Sequence, residues 1–341
     1  MINKNLNNLG VFKDFSDGTI KSVFQSNNKN IIEISLLMNK EKMDVVCVPT
    51  HHFCNLGCKM CHLTNNKLNK KMIPVSKDDF IEALIRGVCY QKINKNISES
   101  RRTSKNKLLI SFMGVGEPLL NQKLILEVFG ELENLKKILG YEDISFAIST
   151  MVPSIDLLKQ FINMVVENSI PLKIHFSLHT PINEVRFKLL PSTKATIEEV
   201  LNELANYYKL CQNNEKIMNN YLKFHRNNIT SEIHYTLINK VNDSLEELNK
   251  VLNLLELYKL PIKFIRFNPL NDLKGSENEE IWYNTLKDNL LDYQVKRYSP
   301  PGREVGSSCG EFTKHYYHEE IETTEQLEEF LNWEIKHRID Y

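Results

Sequence analysis

The stretch Val45-Val46-Cys47-Val48-Pro49-Thr50-His51-His52-Phe53-Cys54-Asn55-Leu56-Gly57-Cys58-Lys59-Met60-Cys61 runs a short apolar segment into a loop carrying three cysteines. The segment 45–48 reads as a buried strand because it is β-branched and continuous. The loop spaces its thiols four and then three residues apart, which suits three thiolates holding three corners of an iron-sulfur cube. A cluster built for electron storage normally takes four cysteines. Three leave one iron without a protein ligand, open to a small molecule, and S-adenosylmethionine is the candidate. The competing reading is half of a zinc site with His62 as fourth ligand, since zinc accepts mixed sulfur and nitrogen coordination. Zinc pairs usually repeat as two short hairpins, and no second cysteine pair occurs in this sequence.

Outward from this loop the pattern alternates. Strands are expected over 45–48, 108–113, 144–149, 172–178, 232–238 and 262–267, each short, apolar and rich in β-branched or aromatic residues. Helical periodicity falls between them, over 123–138, 154–168, 197–210 and 244–257. A further helix carries Phe80, Ile81, Leu84, Ile85 and Val88 at helical spacing behind a Ser76 cap with Asp79. Six strand-helix units predict an α/β fold with a parallel sheet.

In such folds ligands sit at the carboxyl ends of the strands, and the polar signals of this chain cluster there. The cysteine loop follows the first strand and Gly114-Val115-Gly116-Glu117-Pro118 the second. Ser149-Thr150 follows the third, Ser177-Leu178-His179 the fourth and Asn268-Pro269 the sixth. Each has a plain explanation as well: glycine-proline turns close loops, Ser and Thr cap helices, and His179 could be a satisfied core histidine. Five together on one face point to a single mouth.

The 341 residues are 42% hydrophobic and 25% charged, enough for one large domain or two unequal ones, and not a disordered or fibrous chain. The start, Met1-Ile2-Asn3-Lys4-Asn5, has no apolar run of signal-peptide type, and no stretch is long enough to span a bilayer. A cytoplasmic location and no membrane are the expectations. Seven cysteines, an odd number, suit reduced thiols serving as ligands or nucleophiles. Cys89 and Cys211 sit within apolar helical patterns and read as packing residues.

These residues resemble the radical S-adenosylmethionine RNA adenine methyltransferases of the RlmN/Cfr type, over about residues 17 to 312. The resemblance rests on Asp17-Gly18-Thr19, the cysteine loop, Phe112-Met113-Gly114-Val115-Gly116-Glu117-Pro118-Leu119-Leu120-Asn121, and Ser177-Leu178-His179-Thr180-Pro181 with Arg186 and Pro191. It extends to Val241-Asn242-Asp243, Asn268-Pro269 and Ser308-Cys309-Gly310. The cysteine loop alone would indicate only a radical S-adenosylmethionine enzyme; Cys47 and Cys309 narrow it to methyl transfer.

The resemblance implies a partial (βα)6 barrel of TIM type with a short N-terminal β-hairpin extension and a C-terminal helical tail. The expected division is a β extension over 1–44, the partial barrel over 45–300, and a segment over 301–341 with an acidic helix. It further implies that Cys54, Cys58 and Cys61 bind a [4Fe-4S] cluster, and that Gly116, Glu117, Ser149, Ser177, His179 and Asn268 hold S-adenosylmethionine. Cys309 would receive a methyl group from one S-adenosylmethionine, lose a hydrogen to the deoxyadenosyl radical made from a second, and add through carbon to an adenine ring. An electron-poor ring carbon is a poor nucleophile, so the cofactor carries the difficult step. Cys47 would resolve the adduct by forming a disulfide with Cys309. Glu33 matches the family's general base, with one extra residue in the hairpin between it and Cys47.

The sequence departs from the family in several places. Relatives acting on ribosomal RNA carry an N-terminal helical domain before the Asp-Gly-Thr turn, where this sequence has 16 residues. The usual Ser-Ser-Gln ahead of the cluster reads Pro49-Thr50-His51-His52, and the stretch after the third strand is shortened to Ser149-Thr150-Met151-Val152-Pro153. A polar insertion over 94–106 carries Arg101 and Arg102. Residues 310–341 hold nine acidic and three basic side chains, leaving the rest of this electrically neutral chain at +6. That mildly basic body, through Lys67, Lys70, Lys71, Arg101, Arg102 and Lys105, suits phosphate contacts or an ordinary solvated surface. RNA, ribosomal or transfer, is the expected substrate, methylated at C2 or C8 of adenine, with a flavodoxin- or ferredoxin-type electron donor. The same chemistry on a peptide, nucleotide or small metabolite is one alternative, and a non-enzymatic metal-binding protein is the other. The acidic tail, with Phe330 and Trp333 at helical spacing, is expected to pack on the barrel or meet a partner.

Overall fold

The computed structural model describes residues 5–37, 43–63, 71–93, 106–306 and 324–340, with side chains left out at 90–93 and 324–330. The insertion carrying Arg101 and Arg102, and the segment with Cys309, lie outside the described residues. The chain divides into two compact units, one built from Met1–Asn55, Asn65–Ala147 and Pro301–Tyr341, the other from Leu56–Thr64 and Ile148–Pro300.

The first unit carries β1 (Leu6–Lys13), β2 (Ile20–Ser26), β3 (Ile31–Leu37), β4 (Asp44–Cys47) and β5 (Lys107–Phe112), side by side in chain order. β1 to β4 are antiparallel neighbours, and β4 is parallel to β5. The N-terminal β extension is thus a three-stranded antiparallel meander, β1–β2–β3, rather than one hairpin. Asp17-Gly18-Thr19 makes the β1–β2 turn: Gly18 takes φ of +80°, Asp17 Oδ1 accepts from the Thr19 amide at 2.8 Å, and Asp17 Oδ2 from the Gly302 amide at 2.6 Å. A carboxylate two residues before an amide closes such turns readily. α1 (Lys77–Ile93) is capped by Ser76, whose Oγ accepts from the Asp79 amide at 3.2 Å. It approaches β3 so closely that a Cβ on Gly87 would lie 3.1 Å from Ile34 Cγ2.

The expected helix over 123–138 is two helices, α2 (Gln122–Gly130) and α3 (Leu132–Leu139). The break falls at Gly130-Glu131, where Glu131 leaves helical geometry at φ −91° and ψ 7° and caps both. Phe112 links Phe80 and Phe146 in a stacked series in this unit's core, with centroids 5.5 and 6.3 Å apart. The acidic tail is α10 (Thr324–His337), which packs against β1. Trp333 lies 5.1 Å from the Phe12 ring and donates to the Glu304 carbonyl at 2.7 Å. The tail therefore docks on its own unit.

β6 (Asp143–Thr150) begins in the first unit and ends in the second. The second unit holds β7 (Leu172–Ser177), β8 (Ser231–Tyr235), β9 (Ile262–Ile265) and β10 (Val295–Tyr298), all parallel and in chain order. Around them run α4 (Ile155–Glu167), α5 (Asn183–Leu189), α6 (Ile197–Gln212), α7 (Glu215–Tyr221), α8 (Leu245–Tyr258) and α9 (Glu279–Asn289). α6 and α8 each start with a full capping box, Thr196 with Glu199 and Ser244 with Glu247. The α/β class and strand-helix alternation follow the sequence expectation, and β10 adds a parallel strand. β8 stops at Tyr235 rather than running to 238, because the next amide, Thr236, donates to His179 Nδ1 at 3.1 Å instead of to a strand.

Candidate active site

In the first unit the turn after β4 and the turn after β5 are locked together. The Val115 carbonyl accepts from the Thr50 and His51 amides at 2.9 and 3.1 Å, and Asn121 Nδ2 donates to the Thr50 carbonyl at 2.8 Å. Gly116 sits at φ +108°, and a Cβ there would fall 2.5 Å from His51 Nδ1 and 2.6 Å from Thr50 Oγ1. Only glycine tolerates both that conformation and that approach. Glu117 is buried and turns inward, its Oε1 accepting from the Leu119 amide at 3.1 Å. Burial, aided by the charge of His52, lowers the pKa of His51 to about 4, so the ring stays neutral.

Glu33 and Cys47 share one face of the first unit's sheet. Ser35 on β3 is the register partner of both Lys21 on β2 and Cys47 on β4. Glu33, two residues from Ser35, is buried and pairs with the fully buried Lys21 at 2.7 Å. Glu33 is therefore an interior residue of the sheet face and not a surface one. Burial pushes the half-buried Cys47 thiol up to about 11, while the Lys21 charge pulls it down and the Glu33 charge pushes it up.

The cysteine loop begins in the first unit with Cys54 and continues in the second with Cys58 and Cys61. All three are half-buried, and none forms a disulfide among the described residues. The loop is anchored by Ser192 Oγ on the Leu56 carbonyl at 2.7 Å and by the Lys59 amide on the Leu189 carbonyl at 2.9 Å. Gly57 takes φ of +79°, and a Cβ there would meet Pro191 at 3.2 Å. Cys58 Sγ lies 3.6 Å from Met151 Sδ, within an apolar patch that includes Leu56, Met60, Leu189 and Leu190. A held, half-exposed Cys58 thiol against an apolar wall suits an iron-sulfur ligand, since a cluster's potential depends on such surroundings.

The second unit brings together the groups at the ends of β6 and β7. Ser149 Oγ and Ser177 Oγ are 3.4 Å apart. Beneath them Arg186, fully buried, donates to the carbonyls of Met151 at 2.6 Å and Ser177 at 3.1 Å, with its guanidinium over the Phe176 ring. His179 is buried at φ +59° with Nδ1 occupied by the Thr236 amide. Burial, together with the Arg186 charge, lowers its pKa to about 3. Asn242, from the Val-Asn-Asp stretch, braces the same turn by donating to the His179 and Thr236 carbonyls. Asn268 follows Phe267, which packs with Ile238 and Leu270.

Sequence reasoning missed a buried polar stack below Ser177. His175 Nδ1 and His234 Nε2 are 2.6 Å apart, and Glu232 Oε1 lies 3.4 and 3.7 Å from them. Among the described residues this is the one trio whose side chains could converge on a metal ion. Its electrostatics oppose that: Lys173, Lys263 and Lys296 all bind the single Glu232 carboxylate, Lys173 at 3.1 Å and Lys296 at 2.8 Å. Three ammonium groups on one carboxylate leave no deficit for a dication to fill. Burial also keeps both rings neutral, that of His175 well below the usual range and that of His234 at about 4. The signal lay in the alternation Lys173-x-His175-x-Ser177 and Glu232-x-His234, charged positions at period two inside otherwise apolar strands.

No family model matches the chain. Among curated proteins it is similar to a probable dual-specificity RNA methyltransferase RlmN from Acholeplasma laidlawii, 26% identical over 302 residues, 87% of this chain and 77% of the relative. It is 28% identical over 306 residues to the dual-specificity RNA methyltransferase RlmN of Buchnera aphidicola, covering 87% of this chain and 74% of the relative. Among solved structures, a radical SAM methyltransferase from Sphaerobacter thermophilus superposes with a TM-score of 0.69 over 90% of this chain and 81% of that one, at 20% identity. That likeness extends the fold to nearly the whole chain.

Proposed function

We propose that this chain, a member of the RlmN-type family of radical S-adenosylmethionine methyltransferases, methylates an sp2 carbon of adenine in RNA through a methylated cysteine. It is a methyltransferase that uses a [4Fe-4S] cluster and S-adenosylmethionine. The observation that supports the methyl-cysteine reading is that Cys47, seven residues before the first cysteine of the loop, lies opposite Ser35 on β3, with the buried Glu33 two residues along on the same face. A radical enzyme that only cleaved its cofactor would need no such thiol.

Cys54, Cys58 and Cys61 hold the cluster. Bound there, cluster and S-adenosylmethionine supply the deoxyadenosyl radical. Glu117 and the backbone of the Gly114–Glu117 turn orient the methionyl ammonium, a charge-assisted contact that fixes the sulfonium. Ser149, Ser177, His179 and Asn268 hold the rest of the cofactor. A neutral His179 does so without placing a second positive charge near the sulfonium. Cys309, in a Gly-Ser-Ser-Cys-Gly segment outside the described residues, carries the methyl carbon, and Glu33 takes the ring proton. The Cys47 thiolate then attacks the Cys309 sulfur; as the disulfide forms, the bond from that sulfur to the substrate-linked carbon breaks, and the carbon, keeping the electron pair, takes up a proton to become the product's methyl group.

The test is the Cys47→Ala variant, produced with its cluster in cells and probed for covalently attached RNA. A nuclease-trimmed adduct on the Cys309 peptide is the expected outcome, and its sequence identifies the RNA and the atom. Turnover at the normal rate without Cys47 would refute the resolving role.

A further inference from the structure

We infer that Lys21 is the positioning residue of the Cys47 site, fixing the Glu33 carboxylate beside this thiol and supplying the positive charge that lets Cys47 react as a thiolate. The inference deepens the proposed function and rests on that reading of Cys47.

Three observations converge on Lys21. First, register: Lys21 pairs with Ser35, and Ser35 pairs with Cys47. Directly opposed residues of antiparallel strands point to the same side of the sheet, so Lys21, Ser35 and Cys47 form one row across β2, β3 and β4. Glu33 joins that face one dipeptide along. Second, bonding: the Lys21 ammonium, wholly removed from solvent, donates to Glu33 Oε2 at 2.7 Å and also to the Gly306 carbonyl. Third, packing: Val305, next to Gly306, packs with Phe12, Val23 and Ile31, so the chain over 305–306 lies against this face. Val23 and Ile31 lie two residues from Lys21 and Glu33 along their strands and share their side.

A fully buried lysine is costly. An apolar pair of similar volume would usually serve stability as well or better, so stability alone does not account for it. What it does have is a row position facing a thiol that burial holds in the protonated form. The charged groups acting on Cys47 are Lys21 from β2, which favours the thiolate, and Glu33 from β3, which opposes it. Lys21 thus offsets both the burial of Cys47 and the neighbouring carboxylate, and its 2.7 Å contact holds that carboxylate in place as a base.

The experiment follows alkylation of Cys47 by iodoacetamide between pH 7 and 10 in the cluster-loaded protein, read by peptide mass spectrometry. Lys21→Met is expected to slow Cys47 alkylation at pH 8 at least about tenfold and to move its pH profile upward, the size of effect expected for one unit charge at this range in a protein interior. Lys21→Arg should restore the rate to within about threefold, because charge is the property that matters. Glu33→Gln, which keeps the shape, should speed alkylation, and it serves if Lys21→Met does not fold. Unchanged pH profiles in folded Lys21→Met or in Glu33→Gln would overturn the assignment. The readout needs no RNA. A failure here with adduct still trapped by Cys47→Ala would count against Lys21 alone, whereas normal coupling here with no adduct would count against the methyl-cysteine reading.

Discussion

Gly116 and His51 approach so closely that any side chain on the glycine would enter the imidazole: a Cβ would lie 2.5 Å from Nδ1, at a φ of +108°. This contact joins the turn that presents Glu117 to the loop leading into the cysteines. Gly116→Ala should therefore displace both and weaken S-adenosylmethionine binding at least about tenfold, or about 1.4 kcal/mol. Equilibrium dialysis of the cluster-loaded variant checks it. Affinity equal to that of the parent would show that the turn does not shape the cofactor site.

Glu232 is the single carboxylate for three lysines in the second unit. Removing it leaves the buried Lys173 ammonium without its carboxylate and next to two partly exposed lysines, so Glu232→Leu should destabilise by about 3 to 5 kcal/mol. Urea denaturation measures this. If the stack instead held a cation, loss of zinc, by metal analysis, would accompany the mutation; the expected result is no zinc in either protein.

Four rings, the buried His51, His179 and His234 and the half-buried His225, have pKa values lowered from 6.5 to between about 3 and 4, chiefly by removal from solvent. Their folded forms bind a proton less readily than the unfolded chain does. Stability is therefore full above about pH 6.5 and declines as pH falls toward 4. Each ring contributes on the order of 1 to 2 kcal/mol of that decline by pH 5. Melting temperature between pH 7 and pH 5, above most of the carboxylate range, should fall by several degrees, and a flat profile would contradict neutral rings removed from solvent.

Much of this was legible in the sequence because the relevant signals were local. The strand at 45–48 and the Ser76 cap each act within a few positions, and the structure places both within a residue of where they were expected. Two kinds of feature were not legible. Val295–Tyr298 reads as polar through Lys296 and Arg297, yet it is a strand because β9 offers it a free edge and Lys296 a buried carboxylate. Lys21 and Glu33 look like surface residues of a hairpin, and their burial depends on a segment 285 residues from Lys21, at Gly306. The break at Gly130-Glu131 is intermediate: the glycine was visible, but its effect depended on the cap.

Cys309 as the methyl carrier is tested most directly by mass spectrometric mapping of the peptide containing it. The protein should be produced in cells that assemble the cluster, or incubated anaerobically with cluster and S-adenosylmethionine. The expected result is a methyl group on Cys309 that is absent when the incubation omits S-adenosylmethionine. A Cys309 left unmodified by a preparation that cleaves S-adenosylmethionine would contradict the account and assign this chain a different radical reaction.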